Sequence, residues 1–178
     1  MSMREFLQVL PMLLLLVWAA VVDLRSRRIP NWLTGALVAG GLVQSGMVFS
    51  SLSPGQAWAG IGVGFGLTFV LFALGGMGGG DVKLMAGIGA WVGPARVLEV
   101  FAVEAVIGMV IVILRAAGER RVAALARSSA VLVMNAAVRG DVTCPDEPAD
   151  DQGKRRLPYA VPALLATLAV LLSGRRWL

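Results

Sequence analysis

The chain reads as a series of uncharged apolar runs separated by short polar breaks. Phe6 to Val22 carries no charge and is about long enough to cross a bilayer as a helix. Arg4 ahead of it and the small Ala19-Ala20 give it a signal-peptide look. Arg25, Arg27 and Arg28 follow at once, however, and a basic cluster there resists translocation, so a retained first helix is expected. Trp32 to Phe49 predicts a second span after Pro30, residues 50–56 an uncharged turn, and Ala57 to Leu74 a third span. Gly60, Gly62, Gly64 and Gly66 in that third span are spaced as though for close helix packing. Val82 to Val92 is a shorter apolar helix ending at Gly93-Pro94, too short to cross the full hydrocarbon thickness. Val97 to Leu114 predicts a fifth span carrying Glu99 and Glu104. Residues 115–139 mix arginines with apolar side chains, which suits a helix lying on the membrane surface. Residues 140–156 form a polar loop, and Leu157 to Leu172 a last span opening on Pro158 and Pro162. The expected fold is all-α: one polytopic membrane helical bundle over residues 1–178. It has about six transmembrane helices, with 115–156 as a cytoplasmic interfacial helix and loop.

Composition strengthens the membrane reading. Of 178 residues, 57% are hydrophobic and 15% charged, and the mean hydropathy is +0.78, far from an ordinary soluble domain. With no histidine and a single cysteine, Cys144, the chain has no His/Cys zinc site, no histidine-based triad and no internal disulfide. No metal and no cofactor are expected, and aspartate and glutamate are left as the acid/base groups near neutral pH. The net charge of +5 comes from arginines placed between apolar runs, without interleaved aromatics. It speaks for membrane topology and lipid contact, not nucleic acid. The 25–28 cluster, Lys83, the 115–139 arginines and Lys154-Arg155-Arg156 would face the cytoplasm, with the uncharged 50–56 turn outside. Arg175 and Arg176 fall outside under that scheme and go against the rule.

Two carboxylates then stand out. Asp23 closes the first apolar run and Asp81 closes the glycine run that begins at Gly75. Charge at a membrane edge is costly and usually functional, and the topology puts both aspartates on the cytoplasmic side. Two neighbouring carboxylates in a poorly hydrated site share a proton. The ionised one can take a proton from water while the protonated one polarises a carbonyl. Gly78, Gly79 and Gly80 would let the backbone leave helical geometry and admit an extended peptide. Asp81 would open the fourth helix and Asp23 end the first, so helix polarity favours negative charge at Asp81 and leaves the shared proton on Asp23.

The string Asp23-Leu24-Arg25-Ser26-Arg27-Arg28-Ile29-Pro30-Asn31, followed by Gly78-Gly79-Gly80-Asp81-Val82-Lys83-Leu84, resembles the type IV prepilin peptidase family of GxGD-type membrane aspartic proteases. Gly87-Ile88-Gly89-Ala90-Trp91-Val92-Gly93 and Leu157-Pro158-Tyr159-Ala160-Val161-Pro162 are similar to it as well. The resemblance covers about residues 6–114 and 157–172. It implies that Asp23 and Asp81 are the catalytic pair of an inner-membrane, multi-pass endopeptidase with its site facing the cytoplasm. The implied substrate is a prepilin with a short basic leader, and pilus assembly or secretion machinery is the implied partner. Larger members carry a cysteine-bearing insertion after the first helix. Here no Cys-x-x-Cys exists, so the resemblance carries the peptidase step and neither zinc nor N-methylation. The short form is more similar to the peptidases of tight-adherence (Flp) pili, with archaeal preflagellin peptidases as the alternative.

Blander roles stand beside each assignment. Asp23 alone would fit a helix-end acid paired with Arg27, and Asp81 a helix cap. Lys83 is expected as a headgroup anchor, because two residues on from Asp81 a helix faces elsewhere. Glu104, expensive in mid-span, is expected to be structural, to pair with Arg96 or Arg115, or to support the site. The acidic run from Asp146 to Asp151 is expected to be a solvated loop. A non-enzymatic or proton-coupled small membrane protein is the competing class; a carrier would show an internal repeat and midplane charges, and this chain shows no repeat.

Overall fold

In a computed structural model, residues 3–26, 28–47, 50, 52–74, 77–118 and 159–173 are described. The described residues form five helices and the turns beside them, with no strand among them. These are α1 (Met3–Ser26), α2 (Asn31–Ser45), α3 (Pro54–Ala73), α4 (Gly79–Gly118) and α5 (Ala160–Leu172). The all-α expectation holds. The expectation of about six crossings is met only in part: among the described residues, Gln8–Ser26 and Pro54–Ala73 are long and apolar enough to cross a membrane. α5 is apolar but has 13 residues. The interfacial helix and loop expected over 115–156 lie outside the described residues beyond Gly118.

The chain forms two compact units, one of Met1–Ala105 with Pro158–Leu178 and one of Val106–Leu157. In the second, the described residues are the last part of α4, whose Val106, Met109, Ile113 and Leu114 are exposed. The first unit carries the aspartates. Within it α1 packs against α2 and α5, and α2 against α3.

Local sequence explains the helix ends. Ser53 caps α3 by accepting from the Gln56 N–H, while the Gln56 side chain accepts from the Ser53 N–H, and Pro54 takes the first helical position. Pro30, extended at φ −63°, starts α2. The predicted break at Gly93-Pro94 is present: the backbone leaves helical geometry there, and α4 consists of two helical stretches that meet at a kink. Gly93 adopts φ 79°, ψ 175°, a region open in practice to glycine, and Pro94 follows it.

The stretch before that kink does not need to cross anything. Residues 84–93 are all buried, so this short apolar helix is the centre of its unit, and a helix apolar all round belongs in such a core. Its indole at Trp91 donates to the Leu37 carbonyl of α2 at 2.7 Å. On the α3 side, Gly60 and Gly89 bring the two backbones into direct contact, and a Cβ at Gly64 would sit 2.6 Å from the Met85 carbonyl oxygen. Gly62 and Gly66, expected to share this role, have open space beside them. A spacing of two alternates around a helix, and the packing face here is Ala57, Gly60, Gly64 and Thr68. The opposite face of α3 exposes Trp58, Phe65, Phe69 and Phe72, an apolar exterior that suits lipid.

Candidate functional site

Asp23 lies in the last turns of α1 and is 5% exposed. Its carboxylate Oδ2 accepts the backbone N–H of Ala160 at 3.0 Å. Ala160 is the first residue of α5, and Tyr159 ahead of it supplies no side-chain cap. A helix start leaves its first N–H groups without intrahelical partners. Asp23 fills that need from 137 positions away, which accounts for a buried carboxylate at the end of an apolar helix. The carboxylate thus lies between the C-terminal end of α1 and the N-terminal end of α5, whose dipoles act on it in opposite senses.

Asp81 is half-buried in the first turn of α4. Gly78 is the residue before that helix, and its carbonyl accepts from the Asp81 N–H at 3.1 Å and from the Val82 N–H at 3.4 Å. In return the Asp81 Oδ2 accepts the Gly78 N–H at 3.2 Å. This is the reciprocal half of a capping box, with aspartate at the third helical position. The glycine run is therefore only partly non-helical: Gly78 caps, whereas Gly79 and Gly80 already belong to α4. Gly78 has a second reason to lack a side chain, since a Cβ there would stand 2.9 Å from the Asp81 Oδ2.

The two sequence blocks meet. A Cβ on Gly80 would touch the Ile29 side chain at 3.6 Å, so the α4 start rests on the connection that follows Asp23. Lys83 Nζ donates to Asn31 Oδ1 at 2.9 Å, on the surface. Lys83 thus links α4 to the first residue of α2. Exposed Trp18 and Trp32 pair edge to face at 6.1 Å between α1 and α2, near the same end.

Glu104 lies on α4 beyond the kink and is 2% exposed. Neither of its carboxylate oxygens completes a hydrogen bond among the described residues. The Tyr159 side chain reaches it, and Asp81 is close enough for the charges to act on each other. Tyr159 is likewise within electrostatic reach of Asp81. The structure therefore gathers Asp81, Glu104 and Tyr159, with Asp23 held by the residue next to Tyr159. In the sequence Tyr159 figures only as part of the string Leu157–Pro162. Its one signal in the sequence was being the sole tyrosine of the chain, at the head of an apolar helix. Among the described residues no group of three or more His, Cys, Asp or Glu is placed to hold a metal ion.

Such a site offers carboxyl groups for proton transfer, a phenol, and a glycine-bordered approach, at the end of an apolar bundle. Comparison with known proteins adds one finding: the sequence model of the type IV leader peptidase family matches residues 10–113. No curated protein and no solved structure matches the chain.

Proposed function

The chain belongs to the type IV leader peptidase family, and from that premise we propose that Asp23 and Asp81 are the catalytic pair of a membrane endopeptidase for prepilins. The observation that carries this reading is the meeting of the two aspartate-bearing blocks, through Ile29 with Gly80 and Asn31 with Lys83. The substrate is a type IV, Flp-like prepilin with a short basic leader. The direct connection from Asp23 to Asn31, without a cysteine-bearing insertion, supports the Flp-like form.

In the proposed reaction one aspartate, ionised, takes a proton from water as the water oxygen attacks the scissile carbonyl carbon. The other, protonated, gives its proton to the carbonyl oxygen. Collapse of the tetrahedral intermediate returns a hydroxyl proton of the diol to the second aspartate and breaks the C–N bond, and the amine leaves with the proton held by the first aspartate. Gly78 and the first turn of α4 leave room for an extended peptide to lie beside Asp81.

In this reading the site lies at the cytoplasmic face of the inner membrane, in a multi-pass chain. Exposed Arg25, Arg28 and Lys83 cluster around the two blocks, as positive charge does on that side. The Trp18–Trp32 pair supports a site at interfacial depth.

Co-expression with a short-leader prepilin tests the reading. Asp23→Asn and Asp81→Asn are each expected to leave the precursor uncleaved while the enzyme stays in the membrane fraction. Cleavage at the wild-type rate by either variant would refute the pair.

A further inference from the structure

Two groups, the buried Glu104 and the half-buried Tyr159, have no task in the reaction just described. Glu104 is sealed from solvent with both carboxylate oxygens short of a hydrogen bond. Burying such a group without a partner costs several kcal/mol, so a native chain keeps one only for a reason. The polar side chain that reaches it is Tyr159. The hydroxyl and the carboxyl are close enough to act on each other without completing a hydrogen bond, and contacts in substrate-free sites are commonly long or poorly aligned.

Tyr159 occupies a position of leverage. It is the cap residue of α5, it has no side-chain cap of its own, and the next residue donates the N–H that Asp23 accepts. Its carbonyl also accepts the Ala163 N–H at 3.2 Å, so it belongs to the first turn. Whatever fixes the Tyr159 side chain fixes the angle at which α5 presents that N–H. Both Glu104 and Tyr159 feel Asp81 as well. The pair therefore touches one aspartate through the backbone and the other through space. α5 lies beyond residue 113, where the family match ends.

We propose that Glu104 and Tyr159 form a positioning pair for the two aspartates: the Glu104 carboxyl holds the Tyr159 hydroxyl, and Tyr159 holds the first turn of α5 against Asp23. This rests on the reading of Asp23 and Asp81 as the catalytic pair. A phenylalanine at 159 keeps the ring and its packing and loses only the hydroxyl. A glutamine at 104 keeps an acceptor for that hydroxyl, whereas a leucine does not.

The experiment is steady-state cleavage of a short-leader prepilin by purified full-length enzyme in detergent, across pH. Tyr159→Phe is expected to lower kcat about ten- to a hundredfold at nearly unchanged KM and to move the pH–rate profile, with little change in thermal midpoint. Glu104→Leu should reproduce that loss and Glu104→Gln should restore most of it. The double variant Tyr159→Phe with Glu104→Leu should be no slower than either single. Wild-type kcat in Tyr159→Phe, an effect on KM alone, or losses that multiply in the double variant would overturn the pair. Should Glu104→Leu fail to fold, Tyr159→Phe and Glu104→Gln decide the matter. If the Asp23→Asn and Asp81→Asn enzymes are dead and Tyr159→Phe is not impaired, only the positioning role falls. If the wild type cleaves no prepilin, the catalytic reading falls and takes the positioning role with it.

Discussion

Gly78 shows how much a single missing side chain can matter. Its N–H is bonded to the Asp81 carboxylate, and a methyl group there would come within 2.9 Å of the same oxygen. The clash falls on the free end of a side chain, so relief is cheap for the fold: Asp81 rotates. For a residue proposed to act on water, that rotation is the damage. Gly78→Ala is therefore expected to lower kcat about tenfold or more with a nearly unchanged unfolding midpoint, measured by cleavage assay and thermal denaturation of the same preparation. Equal loss of both would show that the glycine serves the fold. Lys83→Met, by contrast, removes only an exposed contact to Asn31, and cleavage should stay within a few-fold of wild type. At this scale the sequence was informative where the signal is local. The glycine run before Asp81 announced a helix start, and the structure puts one there. It was uninformative about the partner of Asp23, because a bond to Ala160 across 137 positions leaves no pattern in neighbouring residues.

At the scale of elements, hydrophobic runs located α1 to α3 and the break at Gly93-Pro94, since each depends on a run of side chains and its punctuation. They did not say which helix lies inside. By length the stretch before the kink is only a helix too short to cross, whereas residues 84–93 are buried throughout. An apolar segment looks the same whether it faces lipid or its neighbours. Glycine spacing on α3 had the same ambiguity, resolved by which positions share a face. Gly60 meets the Gly89 backbone and Gly62 meets nothing. Gly60→Leu must therefore push α3 off α4 and is expected to yield little folded protein. Gly62→Leu points into open space and should change stability by less than about 0.5 kcal/mol. Thermal unfolding in detergent micelles compares the two. A similar midpoint for both would mean that the α3–α4 backbone contact does not hold the helices together.

At the scale of the molecule, the proposed catalytic unit is assembled from the two ends of the chain. Residues up to Ala105 carry both aspartates and Glu104, and the segment from Pro158 brings Tyr159 and the N–H that Asp23 accepts. The family match covers residues 10–113 and so includes the aspartates without α5. If the matched region sufficed for the chemistry, a chain ending at Arg156 would still cleave prepilin. The geometry argues otherwise. Without α5, Asp23 loses its buried N–H donor, Glu104 loses the phenol beside it, and the apolar side of α1 that packs on α5 is uncovered. An uncompensated buried carboxylate then rotates to solvent or draws water in, and either response changes its relation to Asp81. The truncated chain is expected to remain in the membrane, since Gln8–Ser26 and Pro54–Ala73 are intact, and to leave co-expressed precursor uncleaved. Alkaline extraction reads the first outcome and precursor mobility on a gel the second. Cleavage near the full-length rate would show that α5 is dispensable and that Asp23 functions without its cap.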